Sequence, residues 1–272
     1  MPEGPETRRA ADKLGEAIVG RAASEVFFAF PELRAAQREL TGRTVTRVTS
    51  RGKAMLTYFE GGRVVYSHNQ LYGRWYVRKP YAWPKTNRQL RFAIHTDRHS
   101  ALLYSASEID VLAEDELGQH PFLARLGPDA LDKSVRSRTI ERRLASKQFQ
   151  RRGIAGLLLD QGFVAGLGNY LRSEIAFFAG IRPERRPVDL DPEERKRLAR
   201  AVLTITRRAY RTGGVTNPAA LAKDLRAGGH PRRAYRHAVF GRSGQPCWTC
   251  GQEIERIDLA GRRAYVCPDC QV

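Results

Sequence analysis

The four cysteines of this 272-residue chain are confined to its last 26 residues, as Cys247-x2-Cys250 and Cys267-x2-Cys270 with sixteen residues between the pairs. Disulfide frameworks spread their cysteines through a small secreted fold. Paired CxxC knuckles at this spacing instead suit one tetrahedral zinc ion held by four thiolates. Four sulfur ligands leave no position for water, so such a zinc is structural. The flanking stretches "PCWTCGQEIERI" and "RRAYVCPDC" read as two short strands, each beside a knuckle, joined through "LAGRR". So small a hairpin buries little core, and metal binding would supply on the order of 10 kcal/mol of its folding free energy.

Upstream, the apolar pattern changes period twice. Residues 2–20 read as a helix: Ala10, Ala11, Leu14 and Ile18 follow helical spacing, Pro2 suits a first-turn position and Gly20 ends the segment. From Glu25 to Val111 short runs rich in Val, Thr, Tyr and Phe follow, among them "TVTRVTS", "AMLTYF", "RVVYSH", "RWYVRK" and "RFAIHT", separated by turns such as "RGK" and "EGG". Their spacing fits a two-sheet sandwich or a barrel with helices at its ends. The strand pattern stops between Phe122 and Pro128.

Helical segments are expected at Thr139–Ser146 and Gly153–Gln161, then a glycine-rich turn "GFVAGLGN" leading into "YLRSEIAFFAG". Helix, turn, helix is an arrangement that DNA binders use. In "DLDPEER", Asp191 caps a further helix, Pro192 takes its first position and Glu194 completes a capping box, with Leu198, Val202 and Ile205 as the buried stripe. Residues 211–236 show no clear period and read as a mobile, solvent-facing segment. The expected organisation is therefore α+β and multidomain, with boundaries near 125 and 235: residues 1–125, 126–234 and 235–272.

Charge narrows the partner. The chain carries 47 Lys+Arg against 29 Asp+Glu, a formal net charge of +18, and from Ile205 to Arg242 there are nine Lys/Arg and a single acid, Asp224. Such a balance favours a polyanion, with nucleic acid foremost. No run of eighteen apolar residues is present, and the acidic N-terminus lacks the apolar stretch of a secretory signal. A cytoplasmic protein without membrane association is expected.

Four separated motifs, in order along the chain, resemble the formamidopyrimidine-DNA glycosylase/endonuclease VIII family: "PEGPE" at the N-terminus, "RGK" at 51–53, "GLGNYLRSEI" at 166–175 and the four-cysteine hairpin ending "CPDCQ". Within it the contiguous triplet Gln70, Leu71, Tyr72 in "SHNQLYGRW" resembles the endonuclease VIII branch. The resemblance implies an N-terminal two-sheet β-sandwich with a catalytic helix, a helix-two-turn-helix domain and a zinc-finger hairpin. It implies a monomeric bifunctional DNA glycosylase and AP lyase acting on damaged double-stranded DNA, with oxidised pyrimidines as substrates. An oxidised-purine enzyme of the same family is the near alternative; a non-enzymatic zinc-ribbon DNA-binding protein is the distant one.

The resemblance also distributes roles. Once Met1 is removed, Pro2 is the nucleophile. An α-amine has a pKa of roughly 7.7–8.0 against about 10.4 for lysine, so a useful fraction is free base near neutrality. Glu3 shuttles protons, Glu6 one turn on supports it, Lys53 contacts the sugar-phosphate, and Glu174 is placed near the amine. Gln70, Leu71 and Tyr72 fill the gap left by a flipped nucleotide. Asn169 and Arg262 hold flanking phosphates; Arg262 rather than Arg263 stands five residues before the third cysteine. The zinc ligands are Cys247, Cys250, Cys267 and Cys270.

Overall fold

Apolar side chains collect on either side of Arg125–Leu126 in a computed structural model that describes residues 2–272, and the chain divides there into two units. In the first unit, helix α1 (Gly4–Ile18) starts at the N-cap Glu3, with Pro5 in its first turn. Pro2 therefore precedes the helix and is not part of its first turn. Two antiparallel four-stranded sheets follow. One has the order β2 (Val45–Arg51), β3 (Ala54–Phe59), β4 (Arg63–His68), β8 (Glu108–Ala113). The other has the order β1 (Glu25–Phe28), β6 (Leu90–His95), β7 (Ser100–Tyr104), β5 (Arg74–Arg78).

Alternation sends Met55, Phe59, Val65 and Ile109 of the first sheet and Val26, Phe28, Phe92, Ile94 and Leu103 of the second into one shared core. Leu14 and Ile18 of α1 join it. A short helix α2 (Arg34–Leu40) sits between β1 and β2. The strand-only reading of residues 25–111 passed over it, although Pro31 and "RAAQREL" carry helix-start and helix-forming residues.

The second unit is helical before its terminal hairpin: α3 (Ser137–Leu144), α4 (Ile154–Leu157), α5 (Asn169–Ala179) and α6 (Pro192–Thr212) enclose a core around Leu157, Phe163, Leu171, Leu198 and Val202. The apolar run "GIAGLLLDQ" yields only the four residues of α4 as helix, because Gly162 and Gly166 turn the chain towards α5. Gly166 has φ +93°, a conformation glycine adopts without strain. The segment expected to be mobile instead holds α7 (Ala219–Ala227) and α8 (Arg232–Tyr235), with Val215, Ala222, Leu225 and Tyr235 in a small cluster of their own. The final elements are β9 (Glu255–Leu259) and β10 (Arg262–Val266), paired antiparallel. Among the described residues no helix is long and apolar enough to cross a membrane.

The start of α6 shows the reciprocal cap read from the sequence: Glu194 N–H donates to Asp191 Oδ1 and Asp191 N–H donates to Glu194 Oε2, both at 2.8 Å. Replacing Asp191 by Ala should cost about 1 kcal/mol of stability, read as a lower urea midpoint with an unchanged slope.

Candidate active site and nucleic-acid interface

Three chain features converge on one end of the first sheet. Gly20 N–H donates to Val45 O at 2.8 Å, and Gly15 lies against Val48. Helix α1 thus runs back along β2, with its N-terminus towards the Arg51 end. About 16 Å of helix from Gly15 to Gly4 matches about 16 Å of strand from Val48 to Lys53. At that end Arg51 pairs with Ala54 across a two-residue turn, Gly52-Lys53. Gly52 has φ +62° while Lys53 is not positive, the pattern of a type II′ turn, which places glycine first. Ala54 in turn pairs with His68, the last residue of β4.

The start of α1 holds the two expected carboxylates in unequal settings. Glu3 is 2% exposed, whereas Glu6 is half-buried. Glu3 N–H donates to Glu6 Oε2 at 3.1 Å. Glu6 therefore fixes the Pro2–Glu3 peptide, which aims residue 2. Glu3 sits where the positive end of the helix dipole favours a carboxylate. Pro2 is half-buried, and Met1 lies outside the described residues.

From His68 the chain passes to the second sheet through a tip, Asn69–Gly73, that carries the triplet. Gly73 N–H donates to Asn69 O at 2.7 Å, and a Cβ on Gly73 would lie 2.6 Å from the Asn69 backbone, so only glycine closes this turn. Leu71 and Tyr72 are 60% and 68% exposed, large apolar side chains held in solvent. Gln70 is the exception. Its Nε2 donates to Glu108 Oε2 at 3.1 Å and its Oε1 accepts from Ser107 Oγ at 2.7 Å. His68 Nδ1 accepts from Gln70 N–H at 3.3 Å, and burial holds the pKa of His68 below the ordinary imidazole value, with Lys53 pushing the same way. The neutral ring is the form that can accept. Sequence motifs gave no sign of Ser107 and Glu108, because they come from the turn by which the chain returns to the first sheet.

In the second unit, Asn169 opens α5 directly after the glycine-rich turn. Arg172, one turn on and fully buried, is the residue the sequence reading missed. Its Nη1 donates to Leu259 O at 2.9 Å, and its Nη2 lies within 2.8–3.2 Å of Asn169 Oδ1, Arg262 O and Arg263 O. Asn169 Nδ2 adds a bond to Arg263 O at 3.0 Å. The structure thus brings Asn169 beside the backbone of Arg262, whose side chain stays exposed. The hairpin turn beneath is built by Ala260 and Gly261, with φ +52° and +70°. Arg172 lies inside the quoted motif "GLGNYLRSEI", so the signal was present, but its partners stand about ninety residues away.

Glu174, expected among the catalytic residues, accepts a set of bonds within the second unit. It is fully buried; Oε1 accepts from Val239 and Phe240 N–H, both at 2.9 Å, and Oε2 accepts from Ala238 N–H at 2.8 Å and from the Thr216 hydroxyl. Burial pushes its pKa up while these four donors pull it down. It holds together the two ends of the 216–240 segment. Within that segment, burial pushes His237 down to about 3, with Arg236 and Arg232 adding to the effect. Glu174→Gln sets an amide NH2 against at least one backbone N–H in either orientation. It should lower stability by about 3 kcal/mol, seen as a calorimetric Tm decrease.

The four expected cysteines meet. Their Sγ atoms all lie within 4.8 Å of one another, with Cys250–Cys267 at 3.4 Å and Cys247–Cys270 at 3.9 Å. Four thiolates at about 2.3 Å from one zinc stand about 3.8 Å apart, so the set fits the ion. Thr249 N–H points at Cys247 Sγ and Cys270 N–H at Cys267 Sγ, each at 3.4 Å, a donor chemistry suited to thiolates. Gln271 fastens this end to the chain just after α5: its Oε1 accepts from Cys267 N–H and its Nε2 donates to Ile181 O, both at 2.9 Å. One zinc per chain is expected by atomic absorption. Its removal with a chelator should melt the hairpin and weaken binding to duplex DNA at least tenfold in a titration.

Known proteins match along the whole chain. The formamidopyrimidine-DNA glycosylase N-terminal domain is matched over residues 1–107, the formamidopyrimidine-DNA glycosylase H2TH domain over 126–219, and a zinc finger found in FPG and IleRS over 244–272. Over 271 residues the chain is 47% identical to Endonuclease 8 of Klebsiella pneumoniae subsp. pneumoniae, with 100% of each chain covered. Identity is 46% to Endonuclease 8 of Escherichia coli O17:K52:H18, again with 100% of each covered. Lactococcus lactis Fpg (MutM) in complex with DNA containing N7-benzyl-Fapy-dG has the same fold, with a TM-score of 0.82 at 23% identity and 99% of each chain covered.

Proposed function

The chain belongs to the formamidopyrimidine-DNA glycosylase/endonuclease VIII family of base-excision-repair DNA glycosylases, and on that premise we propose that it removes oxidised pyrimidines from duplex DNA and then cuts the strand on both sides of the sugar. The observation that carries this reading is the start of α1. The family's amine-bearing residue, Pro2, is aimed by a peptide whose N–H is fixed on Glu6, beside the nearly enclosed Glu3.

Free of Met1, the Pro2 nitrogen attacks C1′ as the glycosidic bond breaks and the base leaves with a proton supplied through Glu3. Ring opening gives a cationic iminium, which acidifies C2′. Loss of a C2′ proton expels the 3′ phosphate (β-elimination), and loss of a C4′ proton expels the 5′ phosphate (δ-elimination). Water then frees the amine. Glu6 positions the amine rather than touching substrate, and Lys53 is the cation for the sugar-phosphate. Asn169 and Arg262 take the flanking phosphates, where charge-assisted hydrogen bonds are strongest. A bound zinc holds the hairpin that presents Arg262 and takes no part in bond making.

Leu71 and Tyr72 suit the gap opened by base flipping: one apolar wedge and one ring to stack. Glu174 enters this reading as a positioning residue for the 216–240 segment. The protein works as a monomer in the cytoplasm, on nucleoid DNA.

Borohydride reduction on DNA containing an abasic site should trap a covalent complex at Pro2, mapped by mass spectrometry of the N-terminal peptide. A protein with a verified Pro2 terminus that gives no adduct would overturn the reading. Faster excision of 8-oxoguanine than of thymine glycol would transfer the enzyme to the oxidised-purine branch and leave the chemistry intact.

A further inference from the structure

Strands β5 and β6 are both antiparallel to β7 and lie on either side of it. They therefore run in the same direction, and the link between them must cross β7 from one end to the other. That link is residues 79–89, "KPYAWPKTNRQ". The inner face of β7 is in the core, so the link crosses the outer face. Tyr81 stacks on His95 of β6 with ring centroids 4.4 Å apart and planes 2° from parallel, and its N–H donates to Ser100 Oγ of β7 at 2.8 Å. Beneath it Ala93 and Leu102 are completely buried.

Such a cover could end in a polar surface, and this one does not. Trp83 meets His95 edge-on, with centroids 5.6 Å apart, and remains 56% exposed; Tyr81 remains 49% exposed. At the far end Arg88 donates through Nη1 to the Tyr72 carbonyl, which ties the crossover to the Asn69–Gly73 tip. On β5, Arg74 and Arg78 lie on either side of Tyr76, their guanidinium carbons 5.0 and 5.3 Å from its ring centre. From Arg74 to Arg91 the sequence contains six Lys/Arg and no acid. Asp97 is paired with Arg21 at 2.9 Å, and Glu25 at the start of β1 stands opposite His95.

Exposed aromatic faces interleaved with cations recognise unpaired nucleic-acid strands, because every base has a face to stack and every nucleotide a phosphate to neutralise. A regular duplex hides its bases and would leave Trp83 and Tyr81 without a partner. We propose that the crossover is a single-stranded DNA surface, running from Trp83 across the outer face of the second sheet to the Tyr72 tip. It takes a strand that is unpaired beside the damaged nucleotide. This rests on the glycosylase reading only for the role of the tip; the surface itself stands on its own chemistry.

The test is a titration of the full-length zinc-loaded protein with a fluorescein-labelled oligo(dT), following both label anisotropy and tryptophan emission, alongside an undamaged duplex and borohydride trapping on duplex abasic DNA. Wild type should bind oligo(dT) with quenching of tryptophan emission. Trp83→Ala should bind it at least fivefold more weakly and lose most of the quench, while its trapping rate on duplex stays within twofold. Lys85→Ser should keep the quench and reduce the salt slope of binding by about one. Equal oligo(dT) affinity for wild type and Trp83→Ala would overturn the proposal. So would equal quenching of Trp83 by poly-glutamate, which would mark a site for charge alone. If trapping fails in every variant while oligo(dT) binding still depends on Trp83, the glycosylase reading falls and the strand surface stands.

Discussion

Helix α5 holds the last third of the chain through two buried ionic side chains placed two residues apart, and so on opposite sides of the helix. Arg172 donates to the carbonyls of the hairpin at Leu259, Arg262 and Arg263; Glu174 accepts from the amides of Ala238, Val239 and Phe240. Each charge is met mostly by backbone groups, joined by Asn169 Oδ1 at Arg172 and the Thr216 hydroxyl at Glu174, which makes it tolerable at full burial. It also ties the charge to the path of the chain rather than to another residue type. The glycine-rich turn, the basic segment and the zinc hairpin take their places from this one helix, and the exposed Arg262 inherits its location from the burial of Arg172.

The first unit solves a different problem: gathering distant segments at an edge. The N-terminus of α1, the Gly52-Lys53 turn and the Asn69–Gly73 tip reach the same end of one sheet because α1 runs back along β2 and the register of β2, β3 and β4 aligns their ends. Antiparallel register is rigid once one face is buried, so the spacing of these three features is set by the core beneath them. Gln70 is held by Ser107 and Glu108, whereas Leu71 and Tyr72 project into solvent. The triplet is thus fixed at its first residue, and the side chains of its next two are open.

Much of this was legible in the sequence, and the parts that were not share a cause. Strands such as "AMLTYF" and "RVVYSH" and the cap at Asp191 are local: pattern, turn and partner lie within a few residues. The four cysteines were equally legible, because metal geometry imposes its own spacing. The helix in "RAAQREL" was passed over because its strand-like neighbours dominated the window. The helices α7 and α8 were passed over because Gly213, Gly214, Pro218, Gly228, Gly229 and Pro231 cut them too short to show a period. Arg172 and Glu174 were out of reach for a stronger reason: a charged residue on a helix reads as surface, and only backbone groups from distant chain reverse that. The resemblance implies a place for Glu174 near the reacting amine; the fastening of the 216–240 segment is the part no motif carried.

The crossover between β5 and β6 separates two kinds of constraint. Its ends are fixed by the sheet, and Tyr81 is the side chain that seats it on His95 and Ser100. Arg88 ties its far end to the Asn69–Gly73 tip, while Trp83, Lys85 and Asn87 are exposed. Substitutions at these three exposed positions can change the charge and stacking capacity of the face while the bonds that hold the start of α1 stay as they are. The fold thereby gives natural selection, or a protein engineer, a dial for which form of DNA is approached that turns independently of what is done on arrival.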